Sequence, residues 1–243
     1  MRIKKLFGLF LATIFPDICV SCNSNLDKKL VSFGALCESC KNSIPINTAL
    51  FCSECKKRNP ENKKTCHPKA PLLLASASSY STKALRELIH SFKYGNARQN
   101  IENIKEITSD YLKNIIYLIP NVEYAIVPIP LYPQKERVRG FNQAREIAKV
   151  LKTLLNEYGI SAEIAEPLVR VKNTKTQTEM KNFKERERNL SGSFKFNIAE
   201  NTSLKNVILI DDVFTSGATM KEAALTLKSA GAKKILGFVL ALA

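Results

Sequence analysis

Seven cysteines, all before residue 67, are the side chains of this sequence best suited to binding a metal. Cys19 and Cys22 form one C-x2-C pair and Cys37 and Cys40 form a second, with fourteen residues between the pairs. At this spacing two turns can present four thiolates tetrahedrally to one Zn2+, and four protein ligands close the coordination sphere. The odd number of cysteines and their paired spacing favour metal in a reducing compartment over a disulfide-stapled secreted domain. The sequence therefore predicts a structural zinc.

A second ligand set is formed by Cys52, Cys55, Cys66 and His67. Its weak point is the fourth ligand, because adjacent residues rarely point two side chains at one metal. The alternative is that His67 is a solvated loop residue and Cys66 an unliganded thiol. His90 falls inside a predicted helix and is expected to pack or to face solvent rather than to bind metal.

The segment VILIDDVFTSGATM, from Val207 to Met220, runs from an apolar strand into two carboxylates, a loop of small residues and a helix. The free N–H groups of a helix N-terminus favour a phosphate, and glycine lets the main chain approach it. Asp211 and Asp212 can accept hydrogen bonds from vicinal ribose hydroxyls. The residues predicted to bind the phosphorylated ligand are Thr215, Ser216, Gly217, Ala218 and Thr219. The alternative is a tight turn whose aspartates cap the helix, although capping needs one carboxylate rather than two.

The elements that must position these residues alternate between strand-like and helix-like runs. Strands are predicted at Leu72 to Tyr80, Tyr124 to Pro130, Val207 to Ile210 and Ile235 to Leu240. Helices are predicted at Thr82 to Tyr94, Ala97 to Leu118, Phe141 to Leu155 and Ala218 to Ala230. This alternation predicts an α/β fold with a parallel sheet between helices, in which ligands bind at the carboxyl ends of the strands.

The cysteines are confined to the first part of the chain, which predicts two domains. The boundary is placed near Pro71, giving a cysteine-rich module at residues 1–71 and an α/β domain at residues 72–243. Met1 to Phe15 has a basic start and about ten apolar residues, but it lacks an A-x-A-like cleavage site. It is too short to span a bilayer, so we expect an amphipathic helix that packs on the protein, with membrane-surface contact as the alternative. No stable membrane insertion is expected.

The composition excludes global disorder and points to anionic ligands. Hydrophobic residues make up 45% and charged residues 24%, close to the averages of globular proteins. With 37 Lys and Arg against 22 Asp and Glu, the net charge is +15, which attracts phosphorylated ligands and nucleic acid alike. The alternative is a lysine-rich composition whose side chains are simply solvated.

Several motifs together resemble one known family. The two aspartates and the T-S-G-A-T loop resemble the phosphoribosyl pyrophosphate (PRPP) motif of type I phosphoribosyltransferases. The R-G-F-N-Q core at Arg139 to Gln143 resembles the ComF family. So do L-I-x-x-x-K-Y-G within Tyr80 to Gly95, the C-x2-C pairs, and Arg170 to Gly192 with Gln177, Arg186 or Arg188, and Asn189-Leu190. The resemblance covers nearly the whole chain.

The ComF resemblance implies a zinc module joined to a type I phosphoribosyltransferase domain that binds PRPP with Mg2+. It further implies a cytoplasmic protein linked to natural transformation or to the use of DNA as a nutrient. Single-stranded DNA and proteins of DNA uptake or recombination are the implied partners. The family often has another C-x2-C where this sequence has Cys66-His67, which weakens the carry-over of a double zinc ribbon.

Transfer from PRPP displaces pyrophosphate, so the resemblance requires cations near the acidic pair. Lys93, Arg137 and Arg139 are the candidates, because arginine offers a fork that matches phosphate oxygens. The predicted catalytic residues are Asp211, Asp212 and Arg139. The polar stretch from Lys172 to Arg188 is expected to be a lid that excludes water, or else a surface loop.

Three functions remain open at this stage. The first is an enzyme that transfers phosphoribose to a nitrogenous acceptor, such as a phosphoribosyltransferase of nucleotide salvage, and the second is a non-catalytic PRPP sensor. The third is a DNA-handling factor with a basic surface. The candidate contributors near the predicted site mouth are Lys135, Arg137, Lys172, Lys175, Lys181 and Lys184. Those in the cysteine-rich module are Lys56, Lys57, Arg58, Lys63 and Lys64.

Overall fold

The computed structural model describes residues 18–26, 35–59, 66–67, 70–95, 97–173, 191–197 and 204–243, with the backbone alone for residues 97–99. The predicted helix from Met1 to Phe15 lies outside these ranges, as does the predicted lid beyond Asn173. Within the described ranges, no helix has the length and the hydrophobicity that crossing a bilayer requires.

Ten strands are assigned among the described residues. They are β1 (Leu50–Cys52), β2 (Arg58–Asn59), β3 (Leu73–Ser79), β4 (Tyr124–Pro128), β5 (Ala162–Ile164), β6 (Leu168–Arg170), β7 (Phe194–Phe196), β8 (Asn206–Ile210), β9 (Val213–Phe214) and β10 (Lys234–Leu242). The main sheet has the order β2-β1-β3-β10-β8-β4-β5, and β9 pairs with β10. From β3 to β5 all neighbours are parallel, whereas β6 and β7 form a separate antiparallel hairpin.

The longer helices form where apolar residues recur at helical spacing. They are α1 (Glu38–Asn42), α2 (Lys83–Tyr94), α3 (Ala97–Ile115), α4 (Pro133–Arg139), α5 (Gln143–Glu157) and α6 (Ala218–Ser229), with a 3-10 turn at Ile116–Leu118. The four strands and four helices predicted from the sequence are present with small shifts at their ends. The sequence did not predict α4, because a helix without buried side chains has no apolar periodicity to indicate it.

Two apolar clusters cover the two faces of the sheet. In β8 the side chains alternate, so that Ile208 and Ile210 join α2, α3 and α5, whereas Val207 and Leu209 join α6. This double burial accounts for the uninterrupted apolar runs of the parallel strands. The predicted α/β fold, a parallel sheet flanked by helices with cysteine clusters at the N-terminal side, is confirmed.

The cysteine-rich segment joins the main sheet. β1 pairs antiparallel with β3, and Leu50 lies in the same apolar cluster as α2 and α3. The Tyr111 hydroxyl donates to the Ala49 carbonyl at 2.9 Å and accepts from the Ser76 N–H at 3.1 Å, which joins β3 and the residue before β1 to α3. Hydrogen bonds and packing thus connect residues before Pro71 with the α/β fold after it. The predicted domain boundary near Pro71 stays a prediction.

Candidate functional site

The predicted acidic pair lies at the carboxyl edge of the sheet, directly after β8. Ile210 is paired with Phe238 of β10 on one side and with Pro128 of β4 on the other. The Asp211 N–H donates to the Phe238 carbonyl at 3.1 Å, and the Asp212 carbonyl accepts from the Leu240 N–H at 3.1 Å. The backbone of both aspartates is therefore held by the central strands, and their carboxylates stand where parallel strands end.

Lys93, at the end of α2, reaches this acidic pair. Its Nζ lies 2.7 Å from Oδ2 of Asp212, whose residue is 8% exposed. Burial by itself lowers the pKa of Lys93, but the charge and hydrogen bond of Asp212 outweigh it, so that the pKa of the ammonium is raised overall. The structure thus places a fully charged lysine, predicted to neutralise pyrophosphate, against the second aspartate.

Asp211 has an unusual titration. Burial, and then the neighbouring charge of Asp212, raise the pKa of Asp211 to about 7, against the opposing hydrogen bond from the Asp212 N–H at 2.9 Å. The Lys93 and Arg170 charges also oppose the rise. Near neutral pH this carboxyl can therefore be present in both its acceptor form and its donor form.

Arg170, the last residue of β6, is a site residue that the sequence analysis did not single out. Burial lowers the pKa of its guanidinium, and the charge of Asp211 acts in the opposite direction. The guanidinium lies 5.5 Å from the centroid of the Phe194 ring in β7. The sequence gives Arg170 only as the first residue of the Arg170 to Gly192 segment, and the folded structure is needed to place it at this site.

The loop from Thr215 to Thr219, called the 215–219 loop below, leads into α6 through a glycine with a left-handed backbone. Gly217 has φ +77°, and its carbonyl accepts the first helical hydrogen bond, from the Lys221 N–H at 2.8 Å. A Cβ at this position would lie 2.3 Å from Cζ of Phe214. Since the first N–H groups of a helix lack intrahelical acceptors, the loop offers main-chain donors and hydroxyls to a phosphate.

Arg139 is oriented by the R-G-F-N-Q motif. Gly140 ends α4 with φ +80°, and the Asn142 side chain caps α5 by accepting from the Ala144 N–H at 3.0 Å. Arg139 donates to Oε1 of Gln143 at 3.0 Å and to the Tyr94 hydroxyl at 3.2 Å, with its guanidinium 5.3 Å from the centroid of the Tyr94 ring. Tyr94 directly follows Lys93 in the chain. Arg139 and Lys93, the two cations predicted to neutralise pyrophosphate, therefore lie at the same opening of the site.

Further predicted residues fall into two groups. Arg137 is exposed on α4, two residues before Arg139. The other group lies outside the described residues and consists of Lys63, Lys64, Lys175, Gln177, Lys181, Lys184, Arg186, Arg188, Asn189 and Leu190.

The first cysteine cluster brings together the four predicted ligands Cys19, Cys22, Cys37 and Cys40. Their sulfur atoms all lie within 4.8 Å of one another, and those of Cys22 and Cys37 are 3.7 Å apart. Tetrahedral Zn–S bonds of ~2.3 Å separate sulfurs by about 3.8 Å, so the spacing and the donor set fit zinc. Hydrogen bonding to Ser24 lowers the pKa of Cys22 to about 6, which favours the thiolate that a metal requires.

The second cluster brings together Cys52, Cys55, Cys66 and His67, and both members of the adjacent pair Cys66-His67 take part. Nδ1 of His67 lies 3.2 Å from the sulfur of Cys66 and 3.5 Å from that of Cys52, and Cys55 lies 3.3 Å from Cys66. All four ligand atoms are within 4.8 Å of one another. Both clusters could therefore hold a metal ion such as zinc.

Comparison with known proteins agrees with the geometry. The phosphoribosyl transferase domain family matches residues 96–242, a range that contains the acidic pair and the 215–219 loop. Competence protein ComFC of Bacillus subtilis (strain 168) is 32% identical over 228 residues, covering 92% of this chain and 83% of that protein. The chain belongs to the ComF family. The resemblance inferred from its motifs is thereby confirmed.

Two further relatives of this ComF-family chain differ in how much they share with it. Competence protein F of Haemophilus influenzae is 33% identical over 112 residues, which cover 46% of this chain and 47% of that protein. DNA utilization protein YhgH of Salmonella typhimurium is 24% identical over 235 residues, covering 90% of this chain and 94% of that protein. The matches with ComFC and YhgH cover 92% and 90% of this chain, so they extend well before residue 96 and include the segment that carries Lys93.

Proposed function

We propose that this ComF-family chain binds PRPP together with Mg2+ at the carboxyl edge of its sheet, and that it acts in DNA uptake in the cytoplasm. One observation carries the PRPP proposal: the acidic pair, with Lys93 at 2.7 Å from Asp212, lies directly before a glycine-containing loop at a helix N-terminus. The names of its competence-protein relatives support the DNA-uptake part.

Each part of the site has a task in this proposal. The N–H groups and hydroxyls of the 215–219 loop bind the ribose phosphate, and Asp211 and Asp212 accept hydrogen bonds from the ribose hydroxyls. When those hydroxyls reach Asp212, the charge of Lys93 becomes available to the pyrophosphate. Arg139 supplies a second cation at the mouth. Mg2+, when bound with PRPP, adds positive charge to the pyrophosphate and retains most of its waters.

The same arrangement supports phosphoribosyl transfer. In that reaction the bond between the ribose anomeric carbon and pyrophosphate breaks, and a bond to a nitrogen of the acceptor forms. The aspartates face a ribose that gains positive charge, and the cations Lys93 and Arg139 face a leaving group that carries negative charge. The alternatives within this proposal are a phosphoribosyltransferase of nucleotide salvage and a PRPP-sensing protein without catalysis, which release of pyrophosphate with and without added nucleobases distinguishes.

Calorimetry tests the PRPP proposal. With Mg2+ present, the Asp211→Asn, Asp212→Asn double variant should bind PRPP more than about 30-fold more weakly, since hydrogen bonds to charged acceptors contribute roughly 1.5–3 kcal/mol. Asp110→Asn is the control, because it removes an exposed carboxylate paired with Lys113 on α3. Affinity within twofold of the parent in the double variant would show that the loop is only a structural turn.

Single-stranded DNA is the second proposed ligand, supported by a basic surface next to the site. The Asn173 side chain donates to Oε1 of Gln134 at 3.2 Å, which brings Lys172 alongside α4, the helix that carries Lys135 and Arg137. Lys172 is exposed, and its Nζ donates to the Ser191 carbonyl at 2.5 Å. Among the other candidates, Lys56 is half-buried and donates to the Ala243 oxygen, so it is not a free surface cation. Binding would come from phosphate neutralisation with little sequence preference.

Fluorescence anisotropy of a labelled oligonucleotide tests this second ligand. Raising salt from ~50 to ~200 mM should weaken binding by orders of magnitude if several phosphates are contacted. A variant with Lys135, Arg137 and Lys172 replaced by Gln should show a smaller salt dependence. Absent binding at low salt, or binding that ignores salt, would leave only the small-molecule role.

A further inference from the structure

The turn that carries Cys52 and Cys55 has a fixed shape. The Lys56 N–H donates to the Cys52 carbonyl at 2.9 Å, and the Cys52 N–H donates to the Lys57 carbonyl at 3.0 Å. The Ser53 hydroxyl ties the turn to the main sheet by donating to the Leu72 carbonyl at 2.8 Å. Glu54 and Lys56 are charged residues of this turn that contact other parts of the chain, and neither is a member of the metal-ligand set.

Glu54 contacts the helix that follows the 215–219 loop. Its Oε2 lies 2.8 Å from Nζ of Lys221, whose side chain is only 16% exposed. The backbone N–H of the same Lys221 donates to the Gly217 carbonyl. The ion pair therefore restrains the residue that closes the first turn of α6 onto the loop glycine.

Lys56 is connected to the start of the 215–219 loop by a second series of contacts, through Ala243 and Phe214. Its Nζ donates to the Ala243 oxygen at 2.5 Å, and the Ala243 N–H donates to the Phe214 carbonyl at 3.0 Å. The Phe214 ring packs directly under Gly217.

We propose that Glu54 and Lys56 are positioning residues for the 215–219 loop, so that the turn of the second cysteine cluster sets the affinity of the PRPP site. This inference rests on the proposed function. The two contacts hold both ends of the loop: Phe214 lies immediately before it, and Lys221 lies two residues after it. A loop held in its binding conformation loses less conformational entropy when the phosphate arrives, and affinity rises accordingly.

A double-mutant cycle on the ion pair tests the inference by calorimetry with PRPP and Mg2+. Glu54→Gln and Lys221→Met should each weaken PRPP binding about fivefold, and the double variant should be no weaker than either one, because both remove the same interaction. Lys221→Arg keeps the charge and should retain most of the affinity. Glu163→Gln is the matched control, since Glu163 of β5 pairs with Lys152 of α5 at 2.6 Å.

Hydrogen exchange separates positioning from a purely structural role. In Glu54→Gln, without ligand and well below its melting temperature, the amides of residues 215–219 should exchange faster, and the zinc content should equal that of the parent. PRPP affinity equal to the parent, even with a lowered melting temperature, would overturn the inference, as would additive losses in the cycle. If the parent protein does not bind PRPP, the proposed function is wrong. The exchange rates of residues 215–219 then test by themselves whether Glu54 restrains the loop.

Discussion

The cysteine-rich segment and the acidic edge after β8 hold groups together by different means. In the first, β1 and β2 have three and two residues, α1 buries no side chain, and the ligands Cys22 and Cys66 are exposed. In the second, Lys93 and Asp212 are paired between a twelve-residue helix and the central strands. A bound ion can organise the first region, whereas the second depends on a packed core that keeps charges close.

The largest effect that would sharpen this comparison is loss of the first metal. Replacing Cys37 and Cys40 by Ser should remove zinc from that cluster and lower the free energy of unfolding by more than about 3 kcal/mol, because metal binding supplies folding energy there. Elemental analysis and urea unfolding measure both changes. Ser39→Ala, an exposed change in the same turn, is the control. A variant that retains the parent's zinc and stability would contradict the assignment.

A second prediction concerns packing at the acidic edge. Gly217→Ala should lower the free energy of unfolding by about 3 kcal/mol, because a Cβ adds strain at positive φ and meets the Phe214 ring at 2.3 Å. Gly159 is the matched control, with φ +75° and no atom within 4 Å of the added Cβ. Its alanine variant should lose only about 1 kcal/mol, from backbone strain alone. Equal losses would show that Phe214 moves aside.

The third and smallest effect is a dependence of stability on pH. The folded pKa of Asp211 is raised to about 7, so the folded state keeps a proton that the unfolded chain has already released. Ionising this partly buried carboxyl therefore lowers the free energy of unfolding as pH rises toward 7. Asp211→Asn removes that cost, and its advantage over the parent should grow by on the order of 2 kcal/mol between about pH 5.5 and pH 7.5.

Thermal or urea unfolding at both pH values measures this advantage, with Asp110→Asn as the exposed-carboxylate control. Because any loss of metal at the lower pH affects parent and variant alike, the difference between them isolates Asp211. An advantage that does not change with pH would place the pKa of this carboxyl in its usual range.

The sequence predicted the parts of both regions that depend on residue type and spacing. The C-x2-C pairs and the acidic pair with its loop are local patterns, and the structure brings each set together. The sequence did not reveal that the charge of Asp211 acts on Arg170 or that Glu54 pairs with Lys221, because each pair joins residues far apart in the chain. The strands β1 and β2 were missed for a different reason, since two or three residues cannot display an alternating pattern.

The position of β10 between β3 and β8 affects how the chain folds. β3 pairs with β10 from Leu73↔Leu236 to Ser79↔Leu242, and β8 pairs with the other edge of the same strand. During synthesis, therefore, the elements that carry Lys93 and those that carry Asp212 cannot join into one sheet until the last of the described strands has emerged. Such long-range parallel pairing is slow, and unpaired strand edges expose the chain to misassembly. Early metal binding at the cysteine clusters would order the first part of the chain during that interval.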